Sequence, residues 1–276
     1  VTNGVYIINK PAGMTSFDIC RMVRKTIGEK GVGHTGTLDP NATGLMIILS
    51  GRYTKYLPYC VHGPKTYQAE MKMGIKTDTG DIWGNTIDTE DKVMSHEAFV
   101  NVLPSFKGAQ KQIPPMVSAL KKDGKRLYEL AREGVEVERE PRDIFVYDIK
   151  ATGDFCFAAS VSEGTYIRTL CEDIAERLGT IGTMSSLCRS AIGQITLSDA
   201  QTLEEFMAQP QCHDIKEVLD QNIPFVEMED ISDVINGRRI QLDSDAPLVF
   251  ITHEDEVMAV YEKCEGNEYK CRRGLR

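Results

Sequence analysis

The order of elements predicts an α+β main domain joined to a small β-rich C-terminal domain. Three observations carry this reading. Residues 66–73 alternate cleanly, with Tyr67, Ala69, Met71 and Met73 on one face and Gln68, Glu70 and Lys72 on the other, the signature of a half-buried strand. Helical spacing links Phe17, Cys20, Val23 and Ile27, and again Ile167, Leu170, Cys171, Ile174 and Leu178. After about residue 221 the pattern shortens to strands and turns, including a hairpin of 248–252 and 257–261 around His253-Glu254-Asp255-Glu256.

The remaining elements follow in order. Val5-Tyr6-Ile7-Ile8 reads as a short strand, broken by the turn chemistry of Lys10-Pro11-Ala12-Gly13. Thr15 and Asp18 form a capping box that starts the first helix, and Gly28 stops it. Residues 31–44 are rich in glycine and small polar residues without an apolar period, so they predict a loop. The apolar run Leu45-Met46-Ile47-Ile48-Leu49 then predicts a buried strand. Ser95 caps a helix carrying Phe99, Val102 and Leu103. A basic, proline-containing loop is expected over 107–123, and a short helix from about Lys125 to Arg132. A strand at 155–161 leads through Gly164 to the helix whose first turn holds Arg168. There is no internal repeat and no low-complexity segment.

Composition narrows the function classes. The chain has 276 residues, 41% hydrophobic and 26% charged, which excludes disordered, collagenous and fibrous readings. At this length roughly 75% of the unfolded surface is buried on folding. No apolar run is long enough for a membrane helix, and no secretory signal is visible. Eight cysteines are scattered without a Cys-x-x-Cys pair. They read as reduced, structural residues, so a cytoplasmic location is expected.

The net charge of -9 looks wrong for a nucleic-acid binder, yet its distribution matters more. Residues 201–276 hold 17 acidic and 8 basic residues, so the whole excess lies there. Residues 1–60 and 107–134 are basic islands with 7 basic and 3 acidic residues each. Phosphate binding needs local positive potential, not a high overall pI. Charge alone leaves open whether these islands are solvated faces.

Segment 31–44 is the strongest local signal for chemistry. It places His34 and Asp39 on a glycine-rich stretch between a helix and a buried strand, and Pro40 biases Asp39 toward extended backbone. From the residues alone it reads equally as a turn whose side chains bond the local backbone. By the same measure Tyr67 is a core aromatic and Arg168 a solvated helix-end group. No dinucleotide or Walker phosphate loop is present.

These residues resemble a known family. Gly33-His34-Thr35-Gly36-Thr37-Leu38-Asp39-Pro40-Asn41-Ala42-Thr43-Gly44-Leu45 is similar to the catalytic motif of the TruB family, the bacterial synthases that make pseudouridine 55 in tRNA. Asn9-Lys10-Pro11-Ala12-Gly13 resembles that family's lysine-proline motif. Further likeness lies in Lys65-Thr66-Tyr67-Gln68-Ala69, Thr77-Asp78-Thr79-Gly80-Asp81, Gln112-Ile113-Pro114-Pro115, Gly164 to Leu170 and Leu187-Cys188-Arg189-Ser190. The likeness runs from residue 3 to about 200 in the family's order. Beyond 221 it is weaker, with Ile235 to Ile240 resembling the start of a reduced PUA-like domain that is unusually acidic here.

The resemblance implies a pseudouridine synthase fold: a mixed, largely antiparallel sheet core with flanking helices over 1–221, and a PUA-like domain over 222–276. It implies a tRNA partner and chemistry without metal or cofactor, and a monomer is expected. Asp39 aligns with the family nucleophile, a role a carboxylate suits because it attacks and leaves reversibly. Arg168 aligns with the arginine that pairs with it, and Tyr67 with the tyrosine that stacks on the target base. Leu187 aligns with an apolar residue of that pocket. His34 aligns with the histidine that fills the space vacated when the base is extruded. Lys10 and Lys55 align with positions near the cleft, where phosphate contact is expected. The basic 107–134 segment corresponds to an insertion that closes over RNA, and the acidic C-terminal domain is expected to add affinity and no chemistry. Three other readings compete: a guide-RNA-dependent synthase of the dyskerin type, a tRNA-binding or folding protein without turnover, and a two-carboxylate glycoside hydrolase. The first lacks its long basic tails here, the second disagrees with the intact Asp39, Tyr67 and Arg168 set, and the third lacks a paired acid.

Overall fold

The Thr15 side chain accepts from Asp18 N at 3.0 Å and the Asp18 carboxylate accepts from Thr15 N at 3.0 Å, so the capping box opens the first helix as expected. The computed structural model describes residues 3–61, 63–118, 121–122, 124–134 and 137–274. Its elements are β1 (Gly4–Lys10), α1 (Ser16–Ile27), β2 (Val32–His34), β3 (Thr43–Ser50), β4 (Lys65–Met73), β5 (Ile75–Thr77), β6 (Thr86–Thr89), α2 (His96–Val102), β7 (Gly108–Gln112), β8 (Lys121–Lys122), β9 (Lys125–Arg126) and α3 (Leu127–Arg132). There follow β10 (Arg142–Gly153), β11 (Cys156–Val161), α4 (Ile167–Arg177), β12 (Gly182–Ile192), β13 (Ile195–Thr196), β14 (Gln201–Thr202), α5 (Leu203–Ala208) and α6 (Ile215–Val218). The chain ends with β15 (Phe225–Glu227), α7 (Ser232–Ile235), β16 (Ile240–Gln241), β17 (Leu248–His253), β18 (Glu256–Lys263) and β19 (Glu268–Gly274). Two compact units contain them: Val1–His62 with Ile195–Arg276, and Gly63–Gln194.

In the first unit β1 pairs antiparallel with β3, Ile8 opposite Met46, and β14 lies parallel to β1. The apolar run makes β3 a buried strand from Gly44 to Ser50. Val32–His34, expected in the loop, instead pairs with β3 as β2. Only Val32 of its three residues is buried, so no apolar pattern marks it. The C-terminal sheet runs β15-β17-β18-β19-β16, and its core packs Val249, Ile251, Ala259, Tyr261 and Tyr269. The expected hairpin is β17–β18, with Glu254 and Asp255 at positive φ in its turn.

This sheet also covers the 3₁₀ helix Gly51–Tyr59. Tyr56 is fully buried there and its hydroxyl donates to Val257 O at 3.1 Å, while Phe250 meets the rings of Tyr56 and Tyr59 edge-on. The acidic segment is therefore part of the first unit's packing, beyond the affinity role expected for it. A chain ending near residue 221 is expected to lose on the order of 3–5 kcal/mol, the usual cost of stripping a large aromatic from its core contacts. Chemical denaturation of the truncated and full chains measures this.

In the second unit the sheet order is β12-β4-β11-β10-β7, antiparallel throughout. The alternation read at 66–73 is β4, with Tyr67, Ala69 and Met71 buried and Gln68, Glu70 and Lys72 exposed. Helix α4 packs on β12 and β4. Part of the loop expected over 107–123 is strand β7, paired with Arg142–Val146. An edge strand with one buried residue, Gln112, carries a polar sequence because only its pairing face needs order. The rest of the basic segment includes residues 119, 120 and 123, which lie outside the described residues.

Candidate active site

Asp39 stands half-buried between two anchored neighbours. On one side Leu38 is buried, its N–H donates to Ser16 Oγ at 2.9 Å, and the Ser16 hydroxyl donates to Leu38 O at 3.2 Å. On the other side Pro40 O accepts from Gly13 N at 2.9 Å and from Lys10 Nζ at 2.8 Å. Gly13 makes its bond from φ +83, a conformation that favours glycine. Ala42 N donates to Asp39 O at 3.1 Å and closes the turn. The carboxylate thus sits on a segment whose backbone is pinned from α1 and from the turn after β1.

Lys10 departs from its expected role. It is fully buried, and its ammonium donates to Pro11 O at 2.9 Å, Met14 O at 2.6 Å and Pro40 O at 2.8 Å. Three protons meet three carbonyls, leaving none for a phosphate. Burial pushes its pKa down to about 8, and the Asp39 and Asp18 carboxylates oppose that fall. Lys55, half-buried on the 3₁₀ helix, donates to Gly274 O at 3.2 Å and so ties down β19. His34 ends β2 opposite Ile48, half-buried.

The other expected site residues belong to the second unit. Arg168 is the second residue of α4 and is only 4% exposed, unlike a solvated helix-end group. Its guanidinium donates to Thr79 O at 2.9 Å and Val117 O at 2.8 Å. Gly80, at φ +76, lets the Thr77–Asp81 turn press against this side chain: a Cβ there would lie 3.4 Å from Arg168 Cβ. The turn is braced by Asp81, whose carboxylate accepts from Thr79 Oγ1 at 2.8 Å and Trp83 N at 3.1 Å. Gln112 holds the start of α4, donating to Tyr166 O at 3.0 Å and accepting from Tyr166 N at 2.8 Å.

Tyr67 is 8% exposed on β4, with Ala159 on β11 and Arg189 on β12 as its register partners. Leu187 is buried on β12 opposite Ala69. The two strands therefore bring Tyr67 and Leu187 side by side. Sequence reasoning passed over Gln112 and Arg189, the latter almost fully buried. Both stand in the quoted motifs, and an arginine inside an alternating strand is the signal that could have marked Arg189. Among the described residues no group of three or more His, Cys, Asp or Glu is arranged to hold a metal ion. No helix there is long and apolar enough to cross a membrane.

Comparison with known proteins places the chain in a family. A family model described as TruB family pseudouridylate synthase (N terminal domain) matches residues 24–167, and the tRNA pseudouridylate synthase B C-terminal domain matches 168–228. The tRNA pseudouridine synthase B of Alkaliphilus oremlandii is 44% identical over 249 residues, covering 86% of this chain and 83% of that protein. That of Clostridium kluyveri is 39% identical over 282 residues, covering 97% and 93%. In fold the chain is similar to a Cbf5-Nop10-Gar1 complex structure at TM-score 0.70 and 22% identity, over 99% of this chain and 85% of that one. The family model spans the Asp39 segment and Tyr67, and the chain belongs to the TruB family of pseudouridylate synthases.

Proposed function

We propose that this chain is a tRNA pseudouridine synthase that isomerises uridine 55 in the T-loop, with Asp39 as nucleophile. The observation that carries the proposal is the clamp on Leu38 and Pro40, which holds one carboxylate in place before substrate arrives. Preorganisation of this kind lowers a barrier without reordering at the moment of reaction. The N1–C1′ bond of the target uridine breaks, the uracil turns, and a C5–C1′ bond forms. The C5 proton leaves to solvent and N1 gains one, so atoms and electrons balance without an oxidant or a metal.

Tyr67 supplies a flat wall for the extruded base and Leu187 an apolar neighbour beside it. Arg168 supplies the cation that keeps the nucleophile ionised in a closed site. His34 fills the gap left in the RNA loop. The protein acts as a cytoplasmic monomer on tRNA, with residues 1–221 as catalytic domain and 222–276 as PUA-like domain. Lys10 serves the site through the backbone it holds at Pro40.

Transfer RNA labelled with tritium at uridine C5 tests the reaction class. One equivalent of tritium released to water per tRNA is the expected result, and full retention contradicts isomerisation. Binding to tRNA is also expected to weaken steeply with salt despite the acidic pI, because neutralised phosphates release counterions. Filter binding between low and moderate salt measures the slope, and a flat line would make the basic islands plain solvated surface.

A further inference from the structure

We infer that a cavity in the first unit, between the 3₁₀ helix and the C-terminal sheet, binds a guanine nucleotide with its phosphate on Arg52 and its base against Tyr53. The cavity has a volume of about 540 Å³, within the roughly 300–1,000 Å³ typical of small-molecule sites. Arg52, Tyr53, Asn3, Asn236 and Glu256 line it. This chemistry lies apart from Asp39 and does not depend on it.

Charge makes the first argument. The C-terminal sheet is acidic, and five of its cations are matched within it. Arg239 meets Glu268 at 2.6 Å, Lys263 meets Asp245 at 2.9 Å, Arg238 meets Asp233 at 3.3 Å, and Lys270 and Arg272 both meet Glu262 at 3.3 Å. These five are therefore not free to form a phosphate patch. Arg52 differs. Among the described residues no carboxylate pairs with its guanidinium, and the residue is fixed through its backbone N–H, which donates to Asn3 Oδ1 at 2.8 Å. An exposed guanidinium on a fixed backbone at the wall of a cavity suits a phosphate, which its fork can grip with two bonds.

The remaining walls select the base. Tyr53 offers a half-buried ring, steadied by Tyr56 at 6.4 Å between centroids, and aromatic rings stack on nucleobases of any kind. Burial and the Glu256 carboxylate push the Tyr53 phenol up, so the ring faces the base uncharged. Glu256 accepts only. Guanine presents two adjacent N–H groups, N1–H and the 2-amino group, where adenine presents an acceptor at N1. Asn236 is oriented by donating from Nδ2 to Ser232 O at 2.7 Å, which leaves its Oδ1 as a further acceptor. Guanine fits this set and adenine meets lone pair against lone pair.

The nucleotide is either free or part of the RNA, and one set of measurements separates the two. Calorimetry on the full chain with GMP, AMP and inorganic phosphate, alongside tRNA kinetics, uses Arg52→Gln, Tyr53→Ala and Tyr53→Phe. None of these residues belongs to the proposed catalytic set. We expect GMP to bind at least about tenfold tighter than AMP or phosphate. Tyr53→Ala should weaken it about 5- to 150-fold, the range of one stacked base, with Tyr53→Phe near wild type and melting temperatures unchanged. A raised KM for tRNA in Arg52→Gln at an unchanged saturating rate assigns the nucleotide to the RNA; an unchanged KM with lost GMP binding assigns it to the free pool. Binding of GMP and tRNA that is indifferent to both Arg52→Gln and Tyr53→Ala overturns the site. AMP bound as tightly as GMP overturns the role given to Glu256.

Discussion

The Asp39→Asn protein is expected to form no measurable pseudouridine, while its stability and its affinity for tRNA stay close to wild type. Asparagine keeps the shape of the side chain and leaves the anchors on Leu38 and Pro40 in place. It removes the nucleophile, and losing a group on which covalent chemistry depends costs on the order of 10⁴–10⁶ in rate. Single-turnover assays at saturating tRNA measure the rate, filter binding the affinity, and urea denaturation the fold. Turnover within tenfold of wild type would take the nucleophile role away from Asp39.

Lys10→Met is expected to destabilise the fold measurably, because Lys10 is one of the few fully buried charged residues. Methionine fills the volume of the lysine stem but leaves the carbonyls of Pro11, Met14 and Pro40 without their shared donor. The three acceptors are part-buried, so stranding each costs toward the low end of about 1–3 kcal/mol, offset in part by no longer burying a charge, and the net loss is about 1–3 kcal/mol. Because Pro40 loses an anchor next to Asp39, the saturating rate should fall as well. The pH dependence has a definite sign. The folded chain sheds the Lys10 proton near pH 8, whereas the unfolded chain keeps it to the ordinary lysine range. Between those values the unfolded state holds more protons, so this group's contribution to stability rises with pH. The advantage of wild type over Lys10→Met should therefore grow by about 2 kcal/mol between pH 7 and 9.5. A shrinking advantage would show that the ammonium is not held in a costly burial.

These two residues also mark where sequence reading stops. The Thr15–Asp18 box, the alternation over 66–73, the apolar run of β3 and the hairpin β17–β18 were legible because each rests on local periodicity or a local cap. Strands β2 and β7 were not, since three residues with one buried, or a polar edge strand, leave no period to detect. The motif holding Asp39 was legible as chemistry on a turn. Its clamp was not, because Lys10 reads as surface charge until the turn folds three carbonyls around it. Arg168 is the same case: a charged residue in the first turn of a helix reads as solvated, and only the packing of Thr79 and Val117 against it reveals a buried cation. Gln112 holds a helix start 54 residues away, a distance at which no local pattern operates.

The central claim is that this chain converts uridine 55 of tRNA. Unmodified tRNA transcript incubated with the protein, then mapped for pseudouridine by base-specific chemical adduct and primer extension, tests it most directly. The account predicts one stop site, at position 55, complete at saturating enzyme and absent with Asp39→Asn. Pseudouridine at any other position, or at 55 with the Asp39→Asn protein, would contradict it.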